Sequence, residues 1–173
     1  MIEVQVESLV EGGQGHRIGA RRAVEATLAA RQVEQAEVSL TLLDDAAIQA
    51  LNRDHLAHDW TTDVLSFALY DSDEPVLGDV YIGLDQAVRQ ATESGVRVEE
   101  EVARLAVHGT LHVLGFDHPE DAEGRAASEM YRLQEAIVEE LRHSDDAMSG
   151  EAPGAAHGAP RGAAPASTHG EPS

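Results

Sequence analysis

The chain has 173 residues, a formal net charge of −20 from 32 acidic and 12 basic side chains, and no cysteine. That length fits one domain of ordinary size, and the charge excludes a polybasic protein that holds nucleic acid or a membrane surface by bulk attraction. The missing cysteines exclude disulfide scaffolds, thiol catalysis and thiolate metal sites, so any metal site must use histidine and carboxylates.

Aromatic residues make up only 3% of the chain, so the core must be built from Val, Leu, Ile and Ala. The start, MIEVQVESLVEGG, has no basic segment followed by an apolar run and does not read as a signal peptide. No stretch approaches the ~20 apolar residues of a membrane span, and the expected location is the cytoplasm.

Alternation over Ile2–Val6 predicts a strand, and Gly12–Gly15 a loop. Helical spacing of Ile18, Ala20, Val24 and Leu28 predicts a helix over Arg17–Arg31. Glu37–Leu43 reads as a strand, and Asp44 as the N-cap of a helix through Ile48, Leu51 and Leu56. Thr62–Tyr70 and Gly78–Gly83 are the third and fourth strands, joined by the acidic turn Asp71–Pro75. Helices follow over Leu84–Ser94, Val98–Leu114 and Asp121–His143, with Gly95 and Gly115 as stops. Four strands and about five helices in one mixed sheet predict an α+β fold.

From Asp145 onward there is no Val, Ile, Leu, Phe, Tyr or Trp, and four of the six prolines lie there. Such a segment cannot bury enough apolar surface to offset its ordering entropy. Residues 1–144 therefore read as the domain and 145–173 as a disordered tail. The tail holds four acids and one arginine, so the domain itself carries −17.

The chemistry concentrates in His108-Gly109-Thr110-Leu111-His112-Val113-Leu114-Gly115-Phe116-Asp117-His118. His108 and His112, one turn apart, share a helix face. Gly115 lets the chain turn back and present His118 from the side. Three imidazoles with one open position are a catalytic type of zinc site, on a central helix, with one ion per chain; nickel and other ions also accept imidazole. The spacing HxxxHxxGxxH is also that of the metzincin proteases. Those have a glutamate base directly after the first histidine, where this chain has Gly109.

The same stretch resembles the HGxLHxxGxDH signature of the YbeY family of endoribonucleases. Leu51-Asn52, Asp59 and Thr62-Asp63-Val64-Leu65-Ser66-Phe67 resemble that family's LN…D..TDVLSF segment. Leu77-Gly78-Asp79-Val80 with Ile82, then Ala87, Arg89, Gln90 and Ala91, and finally Met130, Gln134 and Glu135, resemble its later segments. The resemblance spans about residues 38–138. It implies a zincin-like fold, zinc on His108, His112 and His118, and cleavage of single-stranded RNA. It also implies a role in maturing the 3′ end of 16S ribosomal RNA and in late ribosome quality control. The implied partners are ribosomal RNA and the small ribosomal subunit or its proteins, with no membrane and no DNA. The implied reagent is a zinc-bound water, since the metal polarises a phosphoryl oxygen and lowers the pKa of its water.

The family's Tyr-Arg pair after LN falls on His55 and Leu56 here, and its proline before TDVLSF on Thr61. The phosphate-holding arginine is thus absent from its place, and Arg53, His55 and His58 are the candidate substitutes. Ser66 is a further candidate for the cleft. Asp63, Asp79 and Asp117 are candidates for orienting a ligand histidine, or for capping turns. Two other functions stay open: a non-catalytic, metal-stabilised ribosome-assembly factor, and a zincin-like peptidase that would lack its base at Gly109.

Overall fold

The alternating segments pair into one mixed sheet in the computed structural model, which describes residues 1–56, 62–119 and 121–150. Strands β1 (Ile2–Ser8), β2 (Ala36–Leu43), β3 (Val64–Ala68) and β4 (Val76–Gly83) lie in the order β1-β2-β4-β3. β1, β2 and β4 run parallel, and β3 is an antiparallel edge strand. Helices α1 (Arg17–Ala30), α2 (Asp45–Leu56), α3 (Leu84–Ser94), α4 (Val98–Val113), α5 (Ala122–Ala127) and α6 (Glu129–Ser149) complete the α+β fold. Among the described residues, no helix is long and apolar enough to cross a membrane.

Alternation along the strands decides what covers each face. Val38, Leu40 and Leu42 of β2 and Val80 and Ile82 of β4 are buried together with α1, α3, α4 and α6. Among the described residues, the opposite face is covered at the β3 end, where Ile48 of α2 packs with Leu43 and Leu65, flanked by Phe67 and Tyr81. Asp44 caps α2 as its position predicts: its carboxylate accepts from the Ala47 N–H at 2.8 Å.

α4 is the central helix. It packs on β3, β4, α1, α3 and α6, and nine of its residues are buried. Two glycines let it sit this close to the sheet. A Cβ at Gly78 of β4 would lie 2.4 Å from Val113 Cγ1, and one at Gly109 of α4 would lie 2.6 Å from Val80 Cγ1. Two hydrogen bonds pin the same contact: Ser66 Oγ donates to the Gly109 carbonyl at 3.0 Å, and Tyr70 Oη to the Val113 carbonyl at 2.8 Å.

The last segment differs from the single helix expected over Asp121–His143. It breaks at Ser128, giving six α-helices among the described residues where five were expected. Ser128 is extended (φ −73°, ψ 152°), and its hydroxyl accepts from the Tyr131 N–H at 3.2 Å to start α6. Asp121 starts α5 in the same way, through the Gly124 N–H at 2.7 Å. A side-chain oxygen that can take an N-terminal N–H competes with continuing the helix. α6 runs on to Ser149, so residues 145–149, assigned to the tail by composition, are helical. Residues 151–173 lie outside the described residues.

Candidate metal centre

α4 ends in a turn that follows from its sequence. Gly115 has a φ of 92°, where a side chain would be strained. The Phe116 N–H bonds the Leu111 carbonyl and the Gly115 N–H the His112 carbonyl, both at 3.0 Å, which is a Schellman closure. The guanidinium of Arg31 lies over the Phe116 ring, 5.0 Å from its centre. The reversed chain brings His118 back beside the helix.

The three imidazoles meet. Their ligand atoms lie within 4.8 Å of one another, and the ring centres are 4.6, 5.1 and 5.1 Å apart. Each ring's Nδ1 faces an oxygen: Gln134 Oε1 at 2.7 Å for His108, the Phe116 carbonyl at 2.9 Å for His112, and the Pro119 carbonyl at 3.0 Å for His118. An Nδ1–H donated to oxygen leaves Nε2 as a bare lone pair. The Nε2 atoms of His108 and His112 are 3.1 Å apart, two acceptors with no proton to share. A shared cation satisfies two such lone pairs together. Two nitrogens at ~2.05 Å on one tetrahedral ion would be about 3.3 Å apart, so the separation fits a zinc-sized ion.

Burial pushes the His108 and His112 imidazoles below their ordinary value, and the neighbouring imidazoles add to this. Both are therefore held in the neutral, ligating form. A lowered folded-state pKa means that the unfolded chain takes up protons first on acidification. The metal-free protein should therefore lose stability as pH falls through about 6.5. Denaturant titrations at several pH values check this; the His108→Gln/His112→Gln protein should show the smaller loss.

The histidines line a cleft of about 770 Å³ bounded by β3, α4, α5 and the start of α6. Of the residues proposed from sequence, Ser66 reaches this cleft, but its hydroxyl is committed to the helix carbonyl at Gly109. His55 is placed elsewhere: its ring packs edge-on against Phe67, 5.6 Å away, on the α2 face of the sheet. Ser66 and Phe67 are neighbours in a strand and so point to opposite faces. Arg53 is 56% exposed beside Asp54 and does not line the cleft. His58 and Thr61 lie outside the described residues.

The three aspartates orient no ligand ring. Asp63 accepts from Gln90, Asp79 from the Ser39 hydroxyl, and Asp117 from the His118 backbone N–H. The residue that does so for His108 is Gln134, which occupies one position of the buried α6 stripe Met130, Gln134, Ile137, Val138. A polar residue within such a stripe is the sequence signal for it. Arg104, one turn before His108, also lines the cleft; its spacing from His108 and His112 signals a shared face. Arg125 and Tyr131 form the outer wall.

The chain is similar to known proteins. The family described as endoribonuclease YbeY matches residues 14–142. A protein of Desulfitobacterium hafniense named endoribonuclease YbeY is 48% identical over 118 residues, covering 62% of this chain and 73% of that one. One of the same name from Moorella thermoacetica is 49% identical over 129 residues, covering 68% and 81%. The fold is similar to the solution structure of TM1509 from Thermotoga maritima, with a TM-score of 0.60 and 24% identity over 88% of this chain and 99% of that one.

Proposed function

As this chain belongs to the endoribonuclease YbeY family, we propose that it is a zinc-dependent endoribonuclease that cuts single-stranded RNA. Its place is then the 3′-end maturation of 16S ribosomal RNA and late ribosome quality control in the cytoplasm, with the small ribosomal subunit as partner. The observation that carries the reading is the convergence of three bare imidazole nitrogens in an open cleft. A divalent ion held there supplies Lewis acidity at a phosphodiester oxygen and a nucleophile near neutral pH.

The chain's own residues supply the rest. His108, His112 and His118 would hold the ion through Nε2, with Nδ1 turned to oxygen, and Ser66 and Tyr70 hold the helix that carries two of them. The cleft wall suits a single strand: Arg125 offers charge for phosphate, and Tyr131, 39% exposed, offers a ring for a base. This wall takes over the role left open by Leu56 at the family arginine's place. A protein with net charge −20 gains little from bulk attraction to RNA, so docking on the ribosome supplies the targeting.

The direct test is incubation of zinc-loaded protein with single-stranded RNA, with and without chelator. Intact RNA in both would favour the non-catalytic assembly-factor reading. The wall has its own test. Tyr131→Ala should weaken single-stranded RNA binding by about 1–3 kcal/mol, or roughly 5- to 150-fold. Fluorescence anisotropy reads this, and zinc content should be unchanged.

A further inference from the structure

His112 and His118 give their Nδ1–H to backbone carbonyls, which can only accept, so their tautomers are fixed by the chain itself. His108 differs. Its partner is the Gln134 side chain, whose two ends are chemically opposite. The carbonyl end holds the proton on Nδ1 and leaves Nε2 bare. The NH2 end would need a bare Nδ1, and would put the proton on Nε2, where a metal must bind.

The neighbour of that amide decides which end faces the ring. Gln134 Nε2 lies 3.2 Å from Glu135 Oε1. An ionised carboxylate accepts only, so the NH2 end must face Glu135 and the carbonyl must face His108. Glu135 is itself clamped by Arg104, Nε to Oε1 at 3.0 Å and Nη2 to Oε2 at 3.3 Å, and Arg104 also bonds Glu101 at 3.2 Å. Burial raises the Glu135 carboxyl, but the Arg104 hydrogen bonds and charge outweigh it and hold the group below the ordinary glutamate value.

We propose that Glu135 is a positioning residue of the metal centre, setting the His108 tautomer through the orientation of the Gln134 amide. The inference rests on reading the three histidines as metal ligands. Its own hydrogen bonds go to Arg104 and Gln134, so its effect on the metal is indirect.

The test is Glu135→Gln, which keeps the shape but can donate as well as accept, releasing the Gln134 amide to flip. Zinc affinity, measured by competition with a chelator, should fall about 10- to 100-fold, the usual cost of losing an outer partner. In metal-free protein, nitrogen NMR should show Nδ1–H at His108 in the wild type and a growing Nε2–H fraction in the variant. Glu139→Gln is the control: it removes the same charge from the same helix, where Glu139 pairs with Arg142 and His143. It should leave both readouts at wild-type values. An unchanged tautomer in Glu135→Gln, an Nε2–H tautomer in the wild type, or an equal affinity loss in Glu139→Gln would each overturn the proposal. A wild-type protein that takes up no zinc would remove the metal reading, while the tautomer measurement on metal-free protein would still decide the role of Glu135.

Discussion

Stoichiometric zinc is expected to be lost from the His112→Ala protein, and RNA cleavage with it. The change deletes one of three converging nitrogens, and the remaining pair cannot hold the ion in a site that keeps a position open for substrate. The loss should exceed the ~10–100-fold effect of removing a mere outer partner. The fold should survive. His112 is half-buried, and its one hydrogen bond to protein oxygen, on the Phe116 carbonyl, is worth only ~1 kcal/mol. Deleting the ring also ends the contact between two bare Nε2 atoms. Metal analysis after gel filtration, read beside a thermal melt of the metal-free protein, checks both halves. A folded variant that keeps one zinc per chain would refute the three-histidine assignment.

Gly109→Ala is expected to cost about 1–3 kcal/mol in overpacking, and the ~1 kcal/mol that alanine returns in helix propensity leaves a net loss of up to about 2 kcal/mol. The added methyl would meet Val80 Cγ1 at 2.6 Å, and Ser66 Oγ and Val64 Cγ2 at 3.1 Å. Val80 is fully buried, so neither side yields without moving α4 off β4. That movement shifts His108 and His112 together, and zinc affinity should fall along with the melting temperature. An alanine variant with wild-type stability and zinc affinity would show that the helix seat has slack. The same crowding bears on the peptidase alternative. Position 109 faces Val80, Val64 and Ser66, so a glutamate base added there would first have to displace the sheet.

Much of the site was legible in the sequence. His108 and His112 share a face because four residues make about one helical turn. Gly115 announces the turn that returns His118, because only glycine takes a φ of 92° freely. The four strands appear as short runs whose alternation matches the two faces of a sheet. The split at Ser128 was also written locally, in a serine and an aspartate able to cap, but helical composition on either side hid it.

What the sequence by itself determined, then, is the set of relations that span a turn of helix or a strand's alternation: the spacing of the three histidines, the stop after α4 and the strand-and-helix order. Short-range sterics and hydrogen bonding fix those wherever the segment lies. Only the tertiary structure decided that His55 belongs to the α2 face, that Ser66 holds the carbonyl of a helix 43 residues away, and that Gln134 reaches His108 across 26 residues. The last two pairs meet because buried apolar faces pack α4 between the sheet and α6, and the first because α2 packs on the other face. Sequence distance carries no trace of such packing, which depends on the shapes of all the elements at once.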